Sequence, residues 1–107
     1  MEKFRIEIAK DFSEKLGGRW IRLGQHSGEE FYENILKQKY EEAVAENENL
    51  HIYLDGTKGY GSSFLDQSFG ELARKFGIEN VERTIVFHTT FFTWNVDYIK
   101  QEIWGRR

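Results

Sequence analysis

Hydrophobic and polar residues alternate at the start of the chain. Residues 4–8 place an apolar side chain at every second position, which predicts a strand with one solvent-facing side at the edge of a sheet. Gly17 and Gly18 predict a turn, and residues 19–23 have the composition of a second short strand. We therefore expect the first two strands to form an edge hairpin.

The next periodic segment predicts a long amphipathic helix. Tyr32, Leu36 and Tyr40 recur at a spacing of four residues, and the pattern extends over about 20 residues. At the start of this segment, Ser27 and Glu30 have the spacing of a capping box. In that motif the serine hydroxyl accepts the amide hydrogen of Glu30, and the carboxylate reaches back to the amide of Ser27.

The second half of the chain predicts two more strands and two more helices. Residues 50–54 are apolar on both faces, as in a central strand, and residues 83–88 form another apolar strand. Residues 63–76 have helical periodicity and end at Gly77, a suitable C-terminal cap. Residues 94–104 predict a final helix. The order ββαβαβα predicts an α/β fold with a mixed sheet of about four strands, an edge hairpin and about three helices.

Composition narrows the class of protein. A chain of 107 residues with 39% hydrophobic residues is long enough for one core, so we expect a single domain over residues 1–107. The net charge of −3 argues against nucleic-acid binding as the main function. The chain has no cysteine, which excludes disulfides and thiolate metal sites. It has no apolar run of membrane-spanning length and no signal-peptide pattern, so we expect a cytoplasmic protein without a membrane partner.

The stretch of greatest chemical interest, residues 59–66, joins the predicted central strand to the second helix. Glycines before a helix start can expose backbone amides to an anion. The stretch lacks the lysine of a Walker motif, and Phe64 stands where a dinucleotide fingerprint requires its third glycine. The candidate residues for a partner-binding or anion-binding surface are Asp55, Gly59, Tyr60, Gly61, Phe64 and Asp66.

Ser62 and Ser63 have two interpretations. A phosphate on either hydroxyl would add up to about two negative charges at a helix start, so both are candidate phosphoacceptors of a switch. Alternatively, Ser63 caps the helix together with Asp66, three residues later. Asp55 is likewise open to two interpretations, since it follows a central strand, where ligands bind, and precedes a glycine in a typical turn pair.

The sequence predicts neither a catalytic residue nor a metal site. No spacing places a histidine base next to a candidate nucleophile, so we expect a protein that is not an enzyme. His26 falls in a loop, whereas His51 and His88 fall in predicted strands. The three histidines have no metal-ligand spacing, and we predict no metal and no cofactor.

Five aromatic residues crowd the C-terminal segment. They exceed what one face of a short helix can bury, so a part of them is expected in the core and a part in an interface. An interface there would make a homodimer. The residues are Phe91, Phe92, Trp94, Tyr98 and Trp104.

The chain resembles the bacterial STAS-like family of unknown function. The resemblance covers about residues 4–77 and is carried by residues 18–20, 27–31, 54–56 and, above all, 59–72, with the sequence GYGSSFLDQSFGEL. It implies kinship with the STAS domains of anti-sigma-factor antagonists. Those are small non-enzymatic α/β domains that bind histidine-kinase-like (GHKL-type) ATPases and can be switched by serine phosphorylation.

The same resemblance matches Ser62 to the phosphorylated serine of an Asp-Ser-Ser-Gly motif. Gly61 and Phe64 stand where that motif has its aspartate and its glycine. We therefore expect a regulatory or protein-interaction module that docks a partner, such as a GHKL-type ATPase or kinase, through residues 59–66 and the following helix. The alternative is a small-molecule or nucleotide sensor that uses the same helix start and Asp55.

Overall fold

The computed structural model describes residues 2–105, and its sheet has three parallel strands in the order β1-β2-β3. They are β1 (Phe4–Glu7), β2 (Leu50–Tyr53) and β3 (Ile85–His88). In the register, Phe4 lies opposite Leu50, and Leu50 lies opposite Ile85. The predicted edge position of the first strand and the predicted central position of residues 50–54 are confirmed.

Five helices accompany the sheet in the described part of the chain. They are α1 (Ile8–Asp11), α2 (residues 28–45), α3 (residues 62–76), α4 (Ile78–Thr84) and α5 (residues 93–103). The three long helices each contain one π-helical turn, at Tyr32–Leu36, Asp66–Gly70 and Ile99–Ile103. The α/β class is confirmed. The sequence did not predict α1 or α4. In α4 only Val81 is fully buried, so the helix has no apolar stripe that a periodicity could reveal.

The predicted edge hairpin and fourth strand are wrong. Residues 19–23 form no strand, and Ile21–Leu23 is a short 3-10 turn at the surface. Backbone groups near it are already used, because the carbonyl of Gly18 accepts the amide of Gly28 and that of Arg19 accepts the amide of Glu29. β1 instead pairs with β2 in parallel, so the sheet is not mixed.

The helices that cross between the strands pack on one face of the sheet. Both crossovers move in the same direction, and right-handed crossovers of that kind place their helices on the same side. Accordingly, Ile6 and Ile52 are fully buried, whereas Arg5, His51 and Tyr53 on the opposite face stay partly or largely exposed. The other face of the sheet therefore carries accessible polar side chains.

The C-terminal helix completes the core on the covered face. Trp104 is fully buried, its indole stacks on Phe87 with ring centroids 5.7 Å apart, and its Nε1 donates a 2.9 Å hydrogen bond to the carbonyl of Phe69. Among residues 2–105, every helix is too short or too polar to cross a membrane.

Candidate functional site

The loop before α3 is anchored by Tyr60. The Tyr60 hydroxyl donates a 2.7 Å hydrogen bond to the carbonyl of Leu54, and its ring meets the edge of Phe92 at 5.1 Å between centroids. Burial raises the pKa of Tyr60, so the hydroxyl stays protonated and able to donate. Gly56 has φ +102° and a Cβ there would lie 2.9 Å from that of Ala9, so the turn requires glycine.

Phe64 does not belong to the predicted surface. It is fully buried and stacks on Phe31 with centroids 5.7 Å apart, because the first turn of α3 packs against the first turn of α2. Of the other predicted surface residues, Gly59 and Tyr60 are half-buried, and Gly61 is exposed. The prediction that Phe64 contributes to a partner surface is therefore wrong, since no partner could reach its ring in this fold.

Two hydroxyl groups begin α3 without capping it. Gly61 is the N-cap residue, in extended conformation, and no side chain accepts a hydrogen bond at this cap. Ser62 is exposed and Ser63 is half-buried. The capping role considered for Ser63 with Asp66 is absent, because Gly61 holds the N-cap position and Ser63 is already the second residue of the helix. The carboxylate of Asp66 pairs with two arginines instead.

Asp66 bridges two arginines. Its Oδ2 lies 2.6 Å from Nη1 of Arg19, and its Oδ1 lies 3.3 Å from Nη1 of Arg74. Arg74 also donates to the Asp66 carbonyl at 3.1 Å. Burial alone would raise the pKa of Asp66, but the hydrogen bond from Arg19 and the charge of Arg74 outweigh it and lower the pKa below its ordinary value.

These charged groups line one cavity together with Ser62. The cavity has a volume of about 470 Å³ and also touches Gly70, where a Cβ would lie 3.0 Å from Cγ2 of Ile103. Because Ser62, Arg19 and Arg74 face one space, an anion placed there could meet two guanidinium groups.

Arg19 connects this cavity to the loop before α2. The predicted contact at that helix start is confirmed in part, because the hydroxyl of Ser27 accepts the amide of Glu30 at 3.0 Å. The Glu30 carboxylate instead accepts the amide of His26, one residue earlier than predicted, at 2.9 Å. Beyond Arg19 the loop exposes Leu23, whose exposed fraction is 73%.

Asp55 has a role in the loop after β3. Its carboxylate accepts the Thr89 hydroxyl and the backbone amides of Thr90, at 2.8 Å, and Phe91, at 3.2 Å. Burial would raise the pKa of Asp55, but these hydrogen bonds lower it overall. The cavity that Asp55 lines is not the one shared by Ser62 and Asp66. The structure therefore does not bring Asp55 into the candidate site at the start of α3.

The C-terminal aromatic residues divide between core and surface. Trp104 is fully buried, and Phe92 and Tyr98 are half-buried against the core. Phe91 and Trp94 remain 79% and 81% exposed. The predicted core role therefore fits Trp104, Phe92 and Tyr98, whereas Phe91 and Trp94 lie at the surface.

Sequence reasoning missed one cluster on the open face of the sheet. Glu2, His51 and His88 place one potential ligand atom each within 4.8 Å of one another. The register explains this proximity, since His88 lies opposite Tyr53, two residues from His51 on the same face. A parallel pairing of the two predicted strands, which places the two histidines on the same face two positions apart in the register, was the signal that could have found it.

Comparison with known proteins identifies a family. A family model described as "STAS-like domain of unknown function (DUF4325)" matches residues 27–90, which is more than half of the chain. No curated protein and no solved structure gives a significant match.

Proposed function

The chain belongs to this family of STAS-like domains, and we propose that it is a regulatory, non-enzymatic module that docks a protein partner and is switched by phosphorylation of Ser62. One observation carries the proposal. Ser62 is exposed at the first residue of α3 and shares a cavity with Arg19 and Arg74, which are both paired with Asp66. None of the described residues that line this cavity is a histidine, so the serine has no general base beside it.

A phosphate on Ser62 would compete with Asp66 for the arginines. It carries about −1.5 to −2 charges at neutral pH, against the single charge of the carboxylate, and gains from the positive end of the helix dipole. Arg19 ties the loop of residues 17–27 to α3 through Asp66. Transfer of Arg19 from Asp66 to the phosphate would therefore move this loop relative to the helix.

The surface that this movement would change has the character of a docking site. The loop exposes Ile21 and Leu23, with Trp20 half-buried beside them, next to the start of α2. Large apolar side chains at the surface are typical of contact residues when they lie together with a charged rim. We assign the partner to this surface, and the family resemblance suggests a GHKL-type ATPase or kinase.

The switch is tested on the full chain carrying phosphoserine at position 62. We expect the side-chain Nε–Hε NMR signals of Arg19 and Arg74 to shift, because both guanidinium groups change partner. Phosphothreonine at position 93 is the matched control, since Thr93 is also exposed at the first residue of a helix but does not line the cavity. Unchanged arginine signals on phosphorylation of Ser62, or equal changes in the control, would contradict the switch.

The docking surface is tested with a captured partner. ATPases that co-purify with the wild-type chain are identified first. Their affinity is then measured for the wild type, for the Ser62→Glu variant, and for a double variant with Ile21→Ser and Leu23→Ser. We expect both variants to lose at least about tenfold in affinity, that is about 1.4 kcal/mol. If no ATPase or kinase co-purifies and Ser62→Glu alters no retained partner, the proposal fails.

A second function is favoured by the same cavity. Its two guanidinium groups suit a small anionic ligand such as a phosphorylated metabolite or a nucleotide, with Arg19 and Arg74 in place of the predicted Asp55. A thermal-shift panel of nucleotides and phosphorylated metabolites tests it, because a ligand that binds the native state raises the Tm. An Arg74→Ala variant should lose the shift.

We also propose that the exposed aromatic pair, Phe91 and Trp94, makes a homodimer contact. Trp is enriched at the centres of interfaces, and Trp94 lies in the first turn of α5, with Phe91 in the loop two residues before the helix. Light scattering after size-exclusion chromatography should give a dimer for the wild type and a monomer for Trp94→Ser. A wild-type monomer at all concentrations would exclude this contact.

A further inference from the structure

The open face of the sheet carries a preorganised group of potential metal ligands. Parallel sheets are usually covered on both faces, but the crossover helices of this fold lie on one face only. On the other face, His51 from β2 and His88 from β3 stand on adjacent hydrogen-bonded strands, and Glu2 precedes β1. Strands hold side chains more rigidly than loops do, which favours a defined site.

The three ligand atoms have the spacing of a coordination sphere. Nδ1 of His51 lies 2.9 Å from Nε2 of His88, and Oε2 of Glu2 lies 3.6 Å from the first and 3.7 Å from the second. Ligands at about 2.0–2.1 Å from a tetrahedral Zn²⁺ ion are about 3.3 Å apart. A point about 2.0 Å from all three atoms exists in the plane that they define. A tetrahedral ion would need the two imidazole nitrogens to move about 0.4 Å apart, which side-chain rotation can supply without moving the strands.

The neighbours of Glu2 orient its carboxylate for this role. The Tyr53 hydroxyl donates a hydrogen bond to Oε1, and the Arg5 guanidinium lies 3.9 Å from the same oxygen. The other oxygen, Oε2, is the one that faces both histidines. The ring of Tyr53 also stacks on His88, with centroids 4.4 Å apart and planes 9° from parallel. Such outer contacts are typical of metal sites, where they fix the orientation of the ligands.

We propose that Glu2, His51 and His88 bind a divalent first-row transition-metal ion such as Zn²⁺. Two imidazoles and one carboxylate favour such an ion over Mg²⁺ and Ca²⁺, which prefer oxygen ligands alone. Without the ion, the N–H of one imidazole donates a hydrogen bond to the unprotonated nitrogen of the other ring across the 2.9 Å contact. Binding moves that proton to the second nitrogen of the same ring, which frees both lone pairs for the metal.

The geometry leaves a coordination position open to solvent. The three side chains are only 20–34% exposed, yet they lie on a face that no crossover helix covers. Three protein ligands with a free fourth position are typical of zinc ions that bind water or an external ligand, whereas structural zinc sites have four protein ligands. The site is therefore suited to an exchangeable ligand.

The test is a titration of the chelator-treated full chain with Zn²⁺ by isothermal titration calorimetry. We expect one ion per chain. His51→Ala and His88→Ala should each weaken binding by at least about 100-fold, since loss of an outer partner alone costs about 10–100-fold. Tyr53→Phe, which removes an outer partner, should weaken binding by about tenfold. Glu2→Gln keeps the shape of the side chain but removes its charge, so it should also weaken Zn²⁺ binding. It replaces a histidine variant that does not fold.

His26→Ala is the matched control, because His26 lies in the loop before α2, outside the cluster. It should bind Zn²⁺ as the wild type does. Titration with Co²⁺ provides a second readout, because a tetrahedral site gives intense visible absorption that the His51 and His88 variants should lose. No binding by the wild type, or equal binding by the wild type and both histidine variants, would overturn the proposal.

Discussion

Replacement of Trp104 by alanine should remove a large part of the stability of this fold. Trp104 is fully buried under α3 and stacks on Phe87 of β3. Its Nε1 also satisfies the carbonyl of Phe69. Truncation of a buried tryptophan costs about 3–5 kcal/mol, against a total stability of about 5–15 kcal/mol for a typical domain.

Trp94 provides the matched control for this prediction. It lies in the same helix segment but is 81% exposed, so Trp94→Ala should change the free energy of unfolding by less than about 0.5 kcal/mol. Trp104→Phe separates the two parts of the effect. It keeps an aromatic ring against Phe87 but leaves the carbonyl of Phe69 without its partner, which costs about 1–3 kcal/mol.

The assay is urea unfolding at low protein concentration, monitored by far-ultraviolet circular dichroism. Fluorescence is unsuitable because each variant removes a fluorophore, and a low concentration keeps any self-association out of the comparison. For Trp104→Ala we expect the free energy of unfolding to fall by about 3–5 kcal/mol, and a thermal melt followed by the same signal should show a Tm lower by at least about 12 °C. Equal losses for the two alanine variants, or a loss below about 1 kcal/mol at Trp104, would show that α5 is not part of the core.

Three further changes test the helix starts and the charged bridge. Ser27→Ala should cost about 1 kcal/mol in urea unfolding because the amide of Glu30 loses its acceptor. Gly28→Ala should lower the free energy of unfolding by about 1–3 kcal/mol despite the helix propensity of alanine, because the added Cβ would lie 2.5 Å from the carbonyl oxygen of Phe64. A variant more stable than the wild type would contradict this contact. The pKa of Asp66 is lowered in the folded state, so its ionised carboxylate stabilises the fold. This stabilisation is fully present above the unfolded pKa of about 3.9 and is lost as the pH falls through the lower folded pKa. Asp66→Asn should therefore be less stable than the wild type at pH 7, by up to about 1 kcal/mol for a pair one-third exposed, and the difference should disappear in strong acid.

Local pattern was sufficient where a single periodicity decides the structure. The alternation at residues 4–8 and the apolar run at residues 50–54 identified two strands, and the four-residue spacing from Tyr32 to Tyr40 identified α2. It failed at residues 19–23, whose composition is that of a strand. The backbone there is bonded to the start of α2, and a parallel partner already occupies the inner edge of β1, which no local pattern reveals.

The candidate site was predictable in position but not in its charges. Residues 59–66 and the two serines identified the start of α3. The role of Arg19 was not predictable, because it is 47 residues from Asp66 in sequence and reaches it only through the fold. The His51–His88 contact has the same origin, since it depends on the register of β2 and β3 and on no spacing within either strand.

The two proposed sites should act independently, because alternation along β2 separates them. His51 and Tyr53 point to the open face, whereas Leu50 and Ile52 are buried under the helices. A change at Ser62 acts first on the pairing of Asp66 with Arg19 and Arg74, on the covered side of the sheet. The buried apolar side chains of β2 lie between this pairing and the histidines on the open face. Ser62→Glu should therefore leave the Zn²⁺ affinity within about twofold of the wild type, as expected for sites that share no partner. A larger change would show that the loop after β2 transmits the switch to the sheet, and the two sites would then form one regulated device.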